Sequence, residues 1–503
     1  MRVLREAFDY PFSRLDPMGA HIDPPSIAVY ESLLTKGPDR AAHASLARVA
    51  HISHSQLEWT LELRHGARFH SGQVCDSRAV IESLEALRWH TGSHRQLWYW
   101  DPVDTVVAVD DRTIKFTLHH PYPRFPSLLW GTHTAIFNNS LFEQDPEAFG
   151  ATVADGTGPY RLVSLDHDRI VTARVPDYEP IQVPGLRREA SSLDRIEWIS
   201  LLDPQSRLDA LLAGDVHVLH NPPYSAVAEL MQDPGIHVYE APQSSSMYLS
   251  LNWERTDLDF HDIRLRRAVS AAIDREALVR LGLAGHGLPT WGPLPPGSEF
   301  YDAASDHRGS RDRTDAERVL DELGWRRGPN GIREKNGTRM SFDCVTQRDP
   351  FFEPVTALVA AQLRTAGIEL LLKPAEPFAD FYQACRTAPA SSISKWLWPD
   401  AVDALKGFTS TDTAPFPNWS NASAPELDRA FDQWIRAEND DDLHRAAVLV
   451  QSTFVDTLPY IPLLTPNDVW LWRTEVVGFA PSPNLLYPLY QGVDLTGTDE
   501  ANR

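Results

Sequence analysis

The second half of the chain alternates strand patterns with helix patterns, and this alternation constrains the fold more than any other feature. The patterns predict strands at residues 340–346 and 368–373, and a helix at residues 354–366 that Gly367 follows. Glycine often ends helices because it adopts the left-handed conformation of a C-terminal cap at little cost. A strand, a helix and a second strand in this order form a crossover between parallel neighbours. The pattern therefore predicts an α/β fold with parallel strands.

The first half of the chain carries clear local signals as well. Residues 57–63 alternate apolar and polar side chains, which predicts a half-buried strand. An amphipathic helix is expected from Asp76, a suitable N-cap, to residue 87. Two strands within residues 103–118, separated by Asp110 and Asp111, indicate a hairpin. The segment 204–213 is expected to be a helix that stops at Gly214.

Two further helices are predicted from apolar periodicity, at residues 27–34 and 263–283. The second begins with three arginines, Arg264, Arg266 and Arg267. Cations gain nothing from the helix dipole at a helix N-terminus. We therefore expect these arginines to pair with acidic side chains across a surface.

Length and charge limit the classes of protein to which the chain belongs. At about 150 residues per domain, the 503 residues suggest roughly three compact units. The formal charge of −22 disfavours nucleic acid and anionic membranes as partners, because both are themselves negative. No run reaches the roughly 18 apolar residues that a membrane-spanning helix needs.

No motif of a known catalytic or cofactor site occurs in the sequence. The G-x-S-x-G nucleophile turn, the phosphate-binding loop and the H-E-x-x-H zinc pair are all missing from it. We therefore expect no cofactor and no metal. Cys75, Cys344 and Cys385 are too few for a disulfide scaffold, and both a Cys344–Cys385 bridge and three free thiols remain open.

Four segments resemble the extracytoplasmic solute-binding proteins of ABC importers for peptides, nickel and related solutes (family 5). They occur in the family's order, although Ser71 stands where the family usually has aspartate. The segments are LRHGARFHSGQVCDSRAVIESL at 63–84, GTGPY at 156–160, Tyr248–Asn252 followed by DIRLRRAVSAAIDR at 262–275, and NWSNASAPELD at 418–428.

The resemblance implies an α/β, two-lobed periplasmic-binding-protein fold (type II, cluster C) with an extra domain inserted in the first lobe. The ligand would be enclosed between lobes that close by hinge motion. The boundaries expected are 1–38 for the first part of lobe I, 39–154 for the inserted domain, 155–244 for the second part of lobe I, 245–466 for lobe II and 467–503 for the return to lobe I.

The resemblance also implies a small solute, an ABC permease as partner, no nucleic acid and a monomer. The first 15 residues lack the apolar core of a signal peptide. Either the protein is cytoplasmic or Met1 has replaced a leader. The family favours an exported protein, periplasmic or at the cell surface, whose leader is absent from the sequence given.

One stretch resembles the ligand motif of the family's peptide binders, KWLWPDAVDA at residues 395–404. Trp396 aligns with the family's tryptophan, but Pro399 occupies the place of the aspartate that pairs with a peptide's amino terminus, and Asp400 is shifted by one. This departure argues against free peptides. Trp398 offers a flat face for a sugar or another ring, and Asp400 can accept hydrogen bonds. Lys395 belongs to the same candidate site.

Six further candidates lie in segments that the resemblance places near the ligand or beside the first loop. The alternative is that their side chains pack in the core. They are Met247, Tyr248, Trp291, Asn418, Trp419 and Tyr30.

The leading hypothesis for function is the solute-binding component of an importer. Sugar conjugates, opine-like compounds, short peptides and metal chelates such as nickel complexes all remain possible ligands. One alternative is a hydrolase on the same two-lobed fold, with Asp400 as general base. Another is a cytoplasmic sensor that carries this domain.

Overall fold

The structure of the protein is a computed structural model that divides into two compact units. The first unit comprises residues 1–241 and 468–503, and the second comprises residues 242–467. The structure describes the chain except for residues 13, 18–23, 90–99, 132–133, 188, 190, 310–312, 348–352, 376–380, 382, 386, 388, 398–400, 483–484, 486–487 and 497–503.

The first unit contains a mixed sheet, a smaller antiparallel sheet and several helices. Its strands are β1 (Val3–Phe8), β2 (Glu31–Ser32), β3 (Leu34–Lys36), β4 (Ala42–Ala44), β5 (Ala47–Ile52), β6 (Glu58–Leu63), β7 (Val103–Ala108), β8 (Thr113–Leu118), β9 (Ala135–Ile136), β10 (Tyr160–Leu165), β11 (Arg169–Arg174), β12 (Arg195–Ser200), β13 (Val218–His220) and β14 (Ile236–Pro242). Its helices are α1 (Pro24–Val29), α2 (Ser77–Trp89), α3 (Asn139–Gln144), α4 (Pro204–Ala213) and α5 (Tyr224–Leu230).

The second unit is built on a mixed sheet with helices between its strands. Its strands are β15 (Ser245–Leu251), β16 (Gly287–Pro289), β17 (Arg326–Arg327), β18 (Arg333–Lys335), β19 (Thr338–Arg339), β20 (Ser341–Gln347), β21 (Glu369–Ala375), β22 (Ser391–Leu397) and β23 (Ile461–Arg473). Its helices are α6 (Ile263–Ala271), α7 (Arg275–Ala277), α8 (Ala303–Gly309), α9 (Arg313–Glu322), α10 (Glu353–Thr365), α11 (Ala401–Thr409), α12 (Pro425–Ile435) and α13 (Asp440–Thr457).

Strand β23 begins in the second unit and ends in the first. The chain then adds a short antiparallel pair, β24 (Val476–Val477) and β25 (Asp494–Leu495). No helix in the described part of the chain has the length and apolar character that a bilayer crossing needs.

The mixed sheet of the first unit has β1 at its centre. Strand β1 pairs in parallel with β12 on one side and β13 on the other, and β13 pairs antiparallel with the last part of β23. Leu4, Phe8 and Trp198 from these strands are fully buried in one apolar cluster. The carboxyl ends of β1, β12 and β13 therefore meet at one edge of this sheet.

The sheet of the second unit confirms the crossover predicted from sequence. Strands β20 and β21 pair in parallel, helix α10 joins them, and Gly367 follows that helix with a φ of +87°. Strand β22 also pairs in parallel with β20 and continues antiparallel to β15.

The hairpin, the helix that stops at Gly214 and the Asp76 cap, all predicted in the first half, are confirmed. Strands β7 and β8 form the hairpin, and Gly214 caps helix α4 with a φ of +83°. Asp76 accepts hydrogen bonds from the backbone N–H groups of Arg78 and Ala79 at the start of α2.

The helix expected over residues 263–283 is interrupted: helical residues run from Ile263 to Ala271 and again from Arg275 through a π-helical turn that ends at Gly282. Helix α6 ends at Ala271, and Asp274 caps a new short helix by accepting a hydrogen bond from the N–H of Ala277. Arg275 fixes the break, because its buried guanidinium binds the backbone carbonyl groups of Ser270 and Pro462. A side-chain network overrides the helical pattern here.

The helix expected at residues 27–34 is also misplaced. Helix α1 starts with two prolines, which are preorganised for a first helical turn. It ends at Val29 because Glu31 and Ser32 form β2, which pairs with β9.

Surface ion pairs were predicted for the three arginines at the start of α6. The prediction is confirmed for Arg264 and Arg267 and is wrong for Arg266. Arg264 does pair with Asp262 at 2.6 Å, and Arg267 lies 3.9 Å from Asp456. Arg266 instead is buried, stacks on Trp253 at 3.7 Å and donates to backbone carbonyl groups, two of them at the end of α13. A helix C-terminus attracts a cation, so no carboxylate is needed.

A buried carboxyl group lies at the centre of β1. Glu6 is fully buried and accepts a hydrogen bond of 2.7 Å from the hydroxyl of Tyr490, which in turn accepts one from Trp198. Burial raises the pKa of Glu6 to about 8, and these hydrogen bonds offset only part of the rise. Glu6 is therefore protonated in the folded state at neutral pH.

This raised pKa predicts a pH-dependent contribution of Glu6 to stability. The unfolded chain releases the Glu6 proton near its ordinary pKa of 4.5, whereas the folded chain keeps it until about 8. The contribution is complete below pH 4.5 and is lost as the pH rises through 8, by roughly 5 kcal/mol at most. Urea unfolding of wild type and Glu6→Gln at several pH values should show the variant gaining relative stability across this window. Parallel pH curves would contradict the prediction.

Candidate functional site

Strand β15 is the centre of the candidate site in the second unit. It is buried along its whole length, and Met247 and Tyr248 are each 1% exposed. Its neighbour β22 places Lys395 opposite Met247 and Trp396 opposite Ser246. The sheet thus brings Met247, Tyr248 and Lys395 together.

Trp419 lies at the centre of an aromatic cluster that packs against this sheet. Its ring stacks on Tyr248 at a centroid distance of 6.3 Å and an angle of 14°. Phe408 lies edge-on to Trp419 at 5.6 Å, and Tyr460 contacts Tyr248 at 4.4 Å. Trp419 is 3% exposed. In the described structure, Tyr248 and Trp419 therefore stabilise the unit by packing.

Asn418 organises the loop that carries Trp419. Its side-chain amide donates to the carbonyl groups of Ser410 and Ala422, and its side-chain oxygen accepts from Ser420 and from the N–H of Ala422. These four hydrogen bonds satisfy a fully buried side chain. They hold the loop in one conformation, as a ligand-binding loop requires.

Trp291 lies in a second rigid loop of the same unit. Its backbone N–H donates to Asp306 at 2.7 Å, and the hydroxyl of Tyr301 donates to the other oxygen of Asp306. The Arg275 guanidinium lies 5.7 Å from the Trp291 ring centroid. The ring is half-buried, so part of it remains accessible.

Two of the predicted site residues, Trp398 and Asp400, lie outside the described residues. Trp396 lies near the end of β22. The ligand role of this stretch therefore remains a hypothesis.

Tyr30 lies in the first unit beside a buried ion pair. Its hydroxyl donates to the carbonyl of Leu15 at 2.7 Å. The next residue, Glu31, receives two hydrogen bonds from Arg64, at 2.7 and 2.6 Å, and a third from Tyr178. Glu31 is 6% exposed, so this pair links distant segments of the chain in a poorly hydrated place.

All three cysteines are buried free thiols, so of the two alternatives the structure has the unbridged one. Burial raises the pKa of Cys344 to about 12, which makes it a poor nucleophile. Among the described residues, no group of histidine, cysteine and acidic side chains could hold a metal ion.

A polar cluster in the first unit escaped the sequence predictions. Asp9 directly follows β1, Asn221 directly follows β13, and Asp468 lies on β23, two residues before the segment that pairs with β13. The amide of Asn221 donates to Asp9 at 2.7 Å, and His220 bonds Asp468 at 2.7 Å. In the sequence, the only signal for this cluster is a polar residue near the end of each strand. That signal could not be interpreted, because the residues that form the cluster are more than 200 positions apart in the chain.

Comparison with known proteins identifies the family. The model for bacterial extracellular solute-binding proteins, family 5, matches residues 41–416. The protein belongs to this family. Its fold is accordingly the α/β, two-lobed fold predicted, and solved family structures resemble it along nearly the whole chain.

Relatives of this chain include glutathione-binding proteins. GsiB of Escherichia coli O1:K1 is 28% identical over 325 residues, which are 64% of this chain and 60% of the relative. The match to this chain thus spans about 60% of the length of the first curated relatives. GsiB of Pectobacterium atrosepticum is 27% identical over 498 residues, 96% of this chain and 92% of the relative.

The solved structure of AgaA from A. tumefaciens R10 with agropinic acid has a TM-score of 0.84 and 19% identity to this chain. The structural alignment covers 98% of this chain and 99% of the AgaA chain. At this identity the likeness establishes the fold alone.

The buried ion pair of Arg64 and Glu31, beside Tyr30, should dominate the stability of its region of the first unit. Arg64→Met leaves the buried Glu31 without its cation and should lower the free energy of unfolding by about 3–5 kcal/mol. Arg48 also pairs with a carboxylate, that of Glu62, but is itself well exposed. Arg48→Met should therefore cost below about 1 kcal/mol. Chemical unfolding of both variants tests this contrast, and equal losses would contradict it.

Proposed function

We propose that the protein is the solute-binding component of an ABC importer. It captures a small organic solute outside the cytoplasm and delivers it unchanged to a membrane permease. The observation that carries this proposal is the family match over residues 41–416. The GsiB proteins, named for glutathione binding, and AgaA, solved with agropinic acid, support a role in binding rather than catalysis.

We infer that the solute is a sugar conjugate, an opine-like compound or a short peptide. The candidate contacts in the second unit are Lys395, Trp396, Trp398 and Asp400, with Trp291 in its rigid loop. A tryptophan face suits an apolar or sugar ring, and a carboxylate accepts hydrogen bonds from hydroxyl or amine groups. Pro399, at the position of the peptide binders' aspartate, favours the conjugates over plain peptides.

The same site is supported by four buried residues of the second unit, Met247, Tyr248, Asn418 and Trp419. The stacked rings of Tyr248 and Trp419 and the hydrogen bonds of Asn418 fix strand β15 and the Trp419 loop, and Met247 is buried in the same strand. Rigid support of this kind lowers the conformational entropy lost on binding.

A thermal-shift panel tests the proposed function. Glutathione, triglycine, glucosamine and agropinic acid would each be added to the purified protein, and mass spectrometry would follow each compound. We expect a raised Tm for at least one compound and no chemical change in it. Ligand at about 100 times its Kd stabilises the folded state by about 2.7 kcal/mol. No shift with any of them, or turnover of a bound one, would contradict the proposal.

Substitutions test the candidate contacts with whichever compound binds. Trp398→Leu and Asp400→Asn should each weaken binding about tenfold or more, because each removes a contact to the solute. Asp412→Asn removes the same charge at an exposed position of the second unit and should leave the affinity unchanged. Calorimetric titration measures all three. Unchanged affinity in both site variants would exclude this stretch from the site, and stabilisation by triglycine alone would contradict the preference for conjugates.

A further inference from the structure

The polar cluster formed by Asp9, His220, Asn221 and Asp468 lies where α/β sheets commonly bind ligands. Strands β1 and β13 run parallel, and the cluster follows their carboxyl ends. In open α/β sheets, ligands bind outside the carboxyl ends of the strands. The whole cluster belongs to the first unit, which otherwise contributes only Tyr30 to the predicted site.

The hydrogen bond between Asn221 and Asp9 fixes the orientation of the Asn221 amide. An ionised carboxylate only accepts hydrogen bonds, so the atom of Asn221 that lies 2.7 Å from Asp9 Oδ2 is the nitrogen, Nδ2. The amide oxygen, Oδ1, then points elsewhere. It is buried, and no described residue donates a hydrogen bond to it. A buried carbonyl oxygen of this kind is costly unless a donor reaches it.

The charges around Asn221 favour a positive donor. Asp9 is half-buried and Asp468 is 17% exposed, so both carboxylates remain near solvent. Both oxygens of Asp468 are engaged, one by His220 and the other by the indole N–H of Trp470 at 2.7 Å. Among the described contacts, the buried Arg207 guanidinium donates to the backbone carbonyl groups of Leu201, Leu202 and Asn221. The negative charge of Asp9, whose carboxylate lies 2.7 Å from the Asn221 amide nitrogen, therefore favours a positively charged donor at this end of the sheet.

The backbone holds Asn221 in place for this role. Asn221 has a φ of +53°, a left-handed conformation that asparagine tolerates better than most residues. Its N–H donates to the carbonyl of Val469, and its own carbonyl accepts from Arg207. His220 stacks on Trp470 at 4.1 Å, which fixes the neighbouring side chain. Such preorganisation is typical of binding groups on rigid strand ends.

We propose that Asn221 Oδ1 and the Asp9 carboxylate form a subsite of the first unit that binds a protonated amine of the solute. His220, Asp468 and Arg207 are positioning residues for it. The inference rests on the proposed function, since it assigns a chemical group to the solute of the same binding protein. A protonated amine supplies several N–H donors and a positive charge, which match the open amide oxygen and the carboxylate.

Matched pairs of compounds test the subsite. Glutathione, triglycine and glucosamine each carry a protonated amine, and their N-acetyl derivatives lack it. Kd values would be measured by calorimetry for wild type, Asp9→Asn and Asn221→Gly, with Tm values of the free proteins as a folding check. Glycine keeps the left-handed backbone available. The matched control is Asp215→Asn, which removes one charge at an exposed position of the same unit.

We expect wild type to bind at least one amine about tenfold or more tightly than its N-acetyl form. Asp9→Asn and Asn221→Gly should each weaken amine binding by about the same factor and leave the N-acetyl form unaffected, whereas Asp215→Asn should behave as wild type. Equal wild-type affinity for both forms, or discrimination retained in both variants, would overturn the subsite alone. Failure of every compound to bind wild type would contradict the proposed function itself.

Discussion

The parallel pairing of β1 with β12 and β13 is the constraint on which the first unit depends. The pairing joins the first residues of the chain to segments about 190 and 210 positions later. It buries Glu6, aligns the carboxyl ends of three strands and places Asp9 beside Asn221. Closing such long loops costs entropy that grows slowly with length, and burial of Leu4, Phe8 and Trp198 opposes that cost.

Buried arginines fix the loops and breaks around both sheets. Arg207, Arg266 and Arg275 are each nearly inaccessible, and the described contacts of their guanidinium groups are mainly to backbone carbonyl groups. Burial lowers the pKa of Arg266 and Arg275 to about 9, so both stay charged at neutral pH. One guanidinium binds several carbonyls at once, which satisfies strand ends and helix ends without an acidic partner.

The sequence predicted those elements whose signals are local. The glycine after α10, the Asp76 cap and the hairpin of β7 and β8 each depend on a few adjacent residues, and each was confirmed. The break after α6 could not be predicted, because the partners of Arg275 include Pro462, which is 187 positions away. The Asn221 cluster was missed for the same reason, since its members are adjacent only after the sheet forms.

The residues that identify the family carry local sequence signals, whereas the residues proposed to select the solute depend on contacts between distant parts of the chain. The matching segments contain turn glycines, helix caps and Arg266, whose described contacts are structural. Among the described side chains proposed to touch the solute, Asp9 and Asn221 directly follow strands and Trp291 lies in a loop, where periodicity does not dictate a residue type. The family match over residues 41–416 therefore establishes the scaffold. The chemistry of the solute depends on groups such as Asn221 Oδ1 and Asp9, whose partners only three-dimensional placement defines.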